Sequence, residues 1–85
     1  MNEIRILGIS VFDRIKEAGR VQNILSKNAP LIKTRLGFHE LSQDVCSRHG
    51  IIVLELMGDP VKWDVFEEEL KTVGGIEVKS MQFLL

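Results

Sequence analysis

Two consecutive strand–helix–strand units fill this chain, and the duplication restricts its possible folds more than any other feature. The first unit covers residues 4–38 and the second covers residues 50–83. Each begins with an apolar strand, turns at an aspartate (Asp13 or Asp59), continues as an amphipathic helix and ends with a second strand. The chain of 85 residues is near the lower size limit for independent folding. We therefore predict a single domain over residues 1–85.

Both helices are predicted from apolar residues that recur every three or four positions. The carboxylate of Asp13 or Asp59 can accept hydrogen bonds from the free amides of the first helical turn. Asn28 and Pro30 end the first helix, and the pair at 74–75 ends the second with two glycines. The residues predicted to face the core are Ile15, Ala18, Val21, Ile24 and Leu25 in the first helix, and Trp63, Phe66, Leu70 and Val73 in the second.

The element order β-α-β-β-α-β is typical of the ferredoxin-like fold, in which two split βαβ units interlock. We therefore expect an α+β domain with a four-stranded antiparallel sheet and both helices on one face, because βαβ crossovers are right-handed. The first and third strands then lie at the centre of the sheet, and the second and fourth lie at its edges.

The two central strands are apolar on both of their faces, whereas the helices can cover only one face. The opposite face is therefore expected to expose aliphatic side chains, flanked by the charges of Lys33, Arg35 and Glu55, with Lys33 or Arg35 pairing with Glu55. Exposed apolar patches usually mark an interface. We predict a homodimer or a higher homo-oligomer that buries this face or pairs the free edge strands. In the first strand the two apolar sets are Ile4 and Ile6 against Leu7 and Ile9. In the third strand they are Ile51 and Val53 against Ile52, Leu54 and Leu56.

Composition argues against several classes of function. A net charge of −1 gives no electrostatic attraction to nucleic acid or to anionic membranes. The longest apolar run, residues 51–54, is far shorter than the ~20 residues that a membrane-spanning helix needs. The single cysteine cannot form an internal disulfide, and the N-terminus lacks the features of a signal peptide, so we expect a cytoplasmic protein.

Four segments give the chain a resemblance to a known family. They are residues 11–14 (VFDR), 32–38 (IKTRLGF), 51–54 (IIVL) and 75–80 (GIEVKS). With these segments the chain resembles, over nearly its whole length, the small ACT-like proteins described as iron-only hydrogenase system regulators. The resemblance implies an ACT-type, ferredoxin-like domain that oligomerises, regulates or contacts other proteins, and is not an enzyme. We expect no cofactor.

ACT domains bind amino acids or other small effectors at subunit interfaces, through the turn after the first strand. By this resemblance Phe12, Asp13 and Arg14 are candidate effector-binding residues, and Arg35 and Gly37 are further candidates. The residues by themselves also allow a simpler interpretation. Asp13 then caps the helix, Arg14 is solvated, Arg35 is an ordinary edge-strand charge, and Gly37 marks a bulge.

Periodicity is lost between positions 39 and 49, where we expect a long loop. His39, Cys46 and His49 fall within this stretch, and imidazole and thiolate groups are good ligands for zinc, nickel or copper. A metal-binding sensor that uses these three residues is the alternative function.

A segment at 19–23 also resembles the phosphate-binding loop of acylphosphatases, but it falls inside the predicted first helix, where backbone amides are already bonded.

Overall fold

The computed structural model describes residues 3–41 and 46–85. These residues form a four-stranded antiparallel sheet in the order β2-β3-β1-β4, packed against two helices. The expected α+β, ferredoxin-like architecture is confirmed, with β1 and β3 at the centre of the sheet. The elements are β1 (Glu3–Val11), α1 (Arg14–Lys27), a short 3₁₀ helix (Ala29–Leu31), β2 (Ile32–Leu41), β3 (Cys46–Leu56), α2 (Pro60–Lys71) and β4 (Ile76–Leu84).

Aspartate caps begin both helices, as the sequence predicts. The backbone amide of Lys16 donates to Asp13 Oδ1 at 3.2 Å, and the amide of Val61 donates to Asp59 Oδ1 at 3.0 Å. Pro60 occupies the first turn of α2, where the missing N–H is not needed for an intrahelical bond. The residues at which the two helices begin are therefore set locally.

One face of the sheet and the inner sides of both helices form the core. Alternate residues of the central strands are buried there, because successive side chains of a strand point to opposite faces. The indole N–H of Trp63 donates to the Met57 carbonyl at 2.7 Å, which joins α2 to the end of β3. The buried apolar residues are Leu7, Ile9, Val11, Val21, Leu25, Leu54, Leu56, Trp63, Phe66, Leu70 and Val73.

The long loop expected between positions 39 and 49 is wrong. β2 continues to Leu41 and β3 begins at Cys46, so the two strands form a longer hairpin. A register shift between His39 and Leu41 interrupts the regular pairing. Such a bulge also breaks the two-residue alternation from which a strand is recognised in sequence. Positions 42–45 lie outside the described residues.

A buried arginine joins β1 to α2, and nothing in the sequence pattern signals it. Arg5 is 5% exposed, donates to Asp64 Oδ1 at 2.6 Å and to Glu3 Oε2 at 3.1 Å, and lies over the Trp63 ring. With its amide oxygen facing the guanidinium, Gln82 accepts a further bond at 2.7 Å. Burial alone would lower the pKa of Arg5, but the hydrogen bonds to Asp64 and Glu3 outweigh it and raise the pKa. The cation therefore stays charged inside the protein.

The two helices are connected at the end of α1. Lys27 Nζ donates to Glu69 Oε2 at 2.8 Å, and the Asn28 side-chain amide donates to Glu69 Oε1 at 3.0 Å. The hydrogen bonds from Lys27 and Asn28 lower the pKa of Glu69. Since these donors favour the ionised carboxylate in the folded protein, Glu69 makes stability depend on pH.

We predict that Glu69→Gln removes part of the stability at neutral pH but none at low pH. A carboxyl group whose pKa is lowered by folding stabilises the protein above its unfolded pKa, and this contribution is lost as the pH falls through the folded pKa. Urea unfolding of both proteins from pH 7 to pH 3 should show the stability difference shrinking with acidification. Glu68→Gln, an exposed glutamate on the same helix, is the control and should show a smaller dependence. A difference that is constant with pH contradicts the prediction.

Gly75, in the turn just before β4, has a backbone conformation that other residues rarely adopt. Its φ is +76°, and a Cβ added there would lie 3.4 Å from Glu17 Cγ. Glu17, which the helical pattern places on the solvent side of α1, is in fact buried against this glycine. Gly75 therefore serves both the turn and the packing of α1.

We predict that Gly75→Ala lowers the free energy of unfolding by about 1–2 kcal/mol, because a Cβ is strained in the left-handed region. The matched control is Gly74→Ala, since Gly74 lacks the positive φ and an added Cβ there meets no described atom within 4 Å. Chemical denaturation of the two variants measures the difference. Equal losses of stability in both variants would exclude this role for Gly75.

Candidate functional site

The sheet face opposite the helices is mostly apolar along the central strands and is not covered by any residue that the structure describes. Lys79 and Glu77 of β4 also lie on this face, because they pair with Gly8 and Ser10. Leu36, Met81 and Phe83 are 59%, 56% and 49% exposed, although all three are large apolar side chains within strands. Strand pairing places them in one continuous patch with the central strands. We call this patch the uncovered face; it comprises Ile4, Ile6, Leu36, Ile51, Val53, Met81 and Phe83.

Charges border the uncovered face, but not all of those expected. Lys33 Nζ lies 3.8 Å from Glu55 Oε2, and the Thr34 hydroxyl donates to Glu55 Oε1 at 3.4 Å. The expected pairing of Glu55 with a lysine is confirmed. Arg35 was also expected at this border, and that is wrong: it pairs in register with Leu54, which is fully buried on the helix side.

The cause is a register shift between Ile32 and Thr34, at the position of Lys33. Simple alternation would place Ile32 and Thr34 on the same side of the sheet. Because of the extra residue, Ile32 instead faces the core and Thr34 lies on the uncovered face. Downstream of the shift, Leu36 joins the uncovered face and Arg35 the helix side.

The turn after β1 gathers a second group of side chains. Phe12 is 61% exposed, and its ring stacks on His49 with a centroid distance of 6.2 Å. His49 Nε2 lies 2.6 Å from the Ser10 hydroxyl. The backbone amide of Phe12 donates to the Gly75 carbonyl at 3.0 Å, which fixes the turn against the start of β4. Asp13 follows as the helix cap.

The five candidate effector residues do not form one site. Phe12, Asp13 and Arg14 lie together where β1 passes into α1. Val11, at the end of β1, pairs with Gly50, whereas Arg35 pairs with Leu54, four residues further along β3. Arg35 therefore lies about 13 Å along the sheet from the turn after β1. Gly37 pairs regularly with Ile52 and marks no bulge. Arg35 instead lines a groove of about 250 Å³ beside α1, with Gln22, Leu25, Ser26, Ala29 and Ile32.

His49 is the residue that sequence reasoning did not connect to this turn. The sequence places His49 among the candidate metal ligands, whereas in the structure its ring stacks on Phe12. The available signal was the pairing of β1 with β3, which brings position 50 opposite Val11. That register could not be fixed while residues 39–49 were assigned to a loop.

The metal-binding alternative stays a prediction. His39 pairs with Gly50, and Cys46 pairs with Leu41, in the hairpin of β2 and β3. The side chains of His39 and Cys46 lie outside the described part of the chain. Among the described residues, no group of three or more His, Cys, Asp or Glu side chains could hold a metal ion.

Neither α1 nor α2, the two α-helices within the described ranges, is long and apolar enough to cross a membrane.

Solved structures provide the comparisons. An uncharacterised protein from Thermotoga maritima, TM1266, superposes with a TM-score of 0.79 at 26% identity, over 95% of this chain and 98% of that one. A formyltetrahydrofolate deformylase from Pseudomonas putida matches with a TM-score of 0.55 at 12% identity, over 92% of this chain but 28% of its own. A dimeric ferredoxin-like protein from an uncultured marine organism matches with a TM-score of 0.51 at 8% identity, over 98% and 94%.

No protein-family model and no curated protein matches the chain. The likeness to the deformylase and to the marine protein shows the fold alone, because both identities are low. The likeness to the Thermotoga maritima protein extends over nearly all of both chains, and that protein is itself uncharacterised. The comparisons therefore support the ferredoxin-like fold, and the expected regulatory family becomes a proposal.

The metal alternative makes a prediction that can be checked directly. If His39, Cys46 and His49 bind a metal, protein purified without a histidine tag should carry about one metal ion per chain, and His49→Ala should lose it. Elemental analysis by mass spectrometry measures the stoichiometry. Ser10→Ala, which removes the hydroxyl next to His49 but no ligand, is the control and should retain the metal. Tag-free wild-type protein that stays metal-free after incubation with zinc, nickel and copper contradicts the alternative.

Proposed function

We propose that this chain is a non-enzymatic, ACT-like regulatory or protein-interaction module that works as a homo-oligomer through its uncovered face. The observation that carries the proposal is the half-exposed apolar patch on a sheet whose other face packs against the helices to form the core. Large apolar patches on the surface of a monomer usually mark an interaction site. The single cysteine makes the cytoplasm the compartment that we propose.

The size of the uncovered face suits a dimer. Four strands about 4.8 Å apart and about nine residues long present a face of roughly 20 by 30 Å. Two such faces packed together would bury roughly 1,200 Å², which is the lower end of the range for stable specific interfaces. Sheets commonly pack face to face in this way, with their strands nearly aligned.

The charges at the border of the uncovered face support the same arrangement. A carboxylate buried without a partner would oppose association strongly. Glu55 already has Lys33 and Thr34 as partners within its own subunit. Packing a second subunit against the patch therefore leaves this carboxylate paired.

Two further points support the proposal. The marine protein of the same fold is described as dimeric. In addition, the resemblance to ACT-like regulators implies a small effector bound at a subunit interface. We propose Phe12 and His49, with the Ser10 hydroxyl next to His49, as the positions for such an effector, because they lie at the margin of the uncovered face.

We predict that Leu36→Lys and Met81→Lys each weaken the dimer by at least about tenfold, because each places an unpaired charge inside an apolar interface. Both side chains are more than half exposed in the subunit, so the fold should be retained. Val65→Lys is the matched control, since Val65 is 66% exposed on α2 and lies away from the sheet. Sedimentation across a concentration series measures the dissociation constant. A wild-type protein that is monomeric at high micromolar concentration overturns the proposed assembly.

A further inference from the structure

Gly8 lies in the middle of the central strand β1, where none of the described residues of its own subunit requires a glycine. It pairs regularly with Val53 on one side and with Lys79 on the other, without a bulge. Its φ is not positive. A Cβ added at this position would meet no described atom within 4 Å. A glycine inside a strand lowers stability relative to other residues, so its presence here needs a reason from outside the subunit.

The alternation of β1 places Gly8 on the uncovered face. Leu7 and Ile9, its neighbours in the chain, are fully buried on the helix side. Ile6 and Ser10 share the face of Gly8. The glycine therefore leaves a shallow depression between its cross-strand neighbours Val53 and Lys79, with Ile6 beside it on the same strand. A glycine in a strand often marks the place where another backbone or ligand approaches closely.

We propose that this depression receives Val53 of a second copy of the chain, while Val53 of the first copy enters the depression of the second. The inference rests on the proposed homodimer and gives its geometry. A two-fold interface must be self-complementary, with residue i contacting residue j and residue j contacting residue i. Gly8 and Val53 meet this requirement, because they lie side by side in register. A two-fold axis running between β1 and β3 sets each β1 against the β3 of the other copy.

The side-by-side placement of Gly8 and Val53 in one chain favours a second copy of this chain over an unrelated protein as the partner. The depression and the projection that fits it are both present on one chain, at the same level of the same sheet. In aligned packing of two sheets the side chains of the two inner faces interdigitate. A position without a side chain, such as Gly8, therefore leaves room for a valine from the opposite sheet.

Gly8→Ala tests the inference. In the subunit the new methyl group meets open space, so the melting temperature at concentrations below dimerisation should be unchanged or higher. In the dimer it meets Val53 of the other copy, and the dissociation constant should rise by about tenfold or more, as overpacking in a close-packed core predicts. Gly37→Ala is the matched control. Gly37 also has open space and lies in a strand, but it pairs with Ile52 on the helix-covered side, so dimerisation should be unaffected.

The double variant Gly8→Ala with Val53→Ala identifies the contact partner. Shortening Val53 makes room for the new methyl group, so the loss of affinity should be smaller than the product of the two single losses. Sedimentation velocity of all four proteins gives the four dissociation constants. Two results overturn the inference without excluding the homodimer. One is a dissociation constant that Gly8→Ala leaves unchanged, and the other is a loss of affinity in the double variant equal to the product of the two single losses. A wild-type protein without dimers refutes the proposed assembly itself.

Discussion

The pairing of β1 with a neighbour on each side is the interaction on which the remaining structure depends. β3 pairs with β1 from Ile6 to Val11, and β4 pairs with it from Glu3 to Val11. A strand held on both sides cannot rotate, so each of its side chains is committed to one face of the sheet. The odd positions of β1 enter the core and the even positions form the uncovered face. The pairing register of β1 therefore determines both which of its side chains pack in the core and which lie on the uncovered face.

The helical layer covers one face and is held in place by two polar connections. At one end of α2, Asp64 accepts from the buried Arg5 of β1. At the other end, Glu69 accepts from Lys27 of α1. In the first connection the arginine is buried and stays charged while Asp64 is exposed, whereas the second is partly exposed and depends on an ionised carboxylate. Both helices are thereby fixed over the same side, and no residue that the structure describes covers the opposite side.

Much of this architecture follows from local sequence signals. The caps at Asp13 and Asp59 and the apolar stripes of the helices depend on residues within a few positions of one another, and they were predicted. The uncovered face was also predicted, because the central strands are apolar at both odd and even positions. Arg35 was misplaced because one inserted residue at Lys33 reverses the alternation that follows, and a bulge leaves no clear trace in composition.

The candidate site was less predictable for a related reason. The partners of Arg5 include Asp64, which is distant in sequence, and the stack of Phe12 on His49 depends on the pairing of β1 with β3. Such contacts are set by register over long separations, and a single sequence shows residue types without showing their neighbours. Gly8 was overlooked because its importance comes from the empty space around it, which appears only when the sheet is assembled.

The alternation along β1 also bears on how this protein can change during evolution. Core residues and residues of the uncovered face alternate one by one in the same strand, so a substitution in one set leaves the side chains of the other set in place. A single inserted or deleted residue near Gly8 would instead exchange the two sets, bringing Ile6 and Ser10 into the core and turning Leu7 and Ile9 outwards. The length of β1 should therefore be far more resistant to change than its side chains.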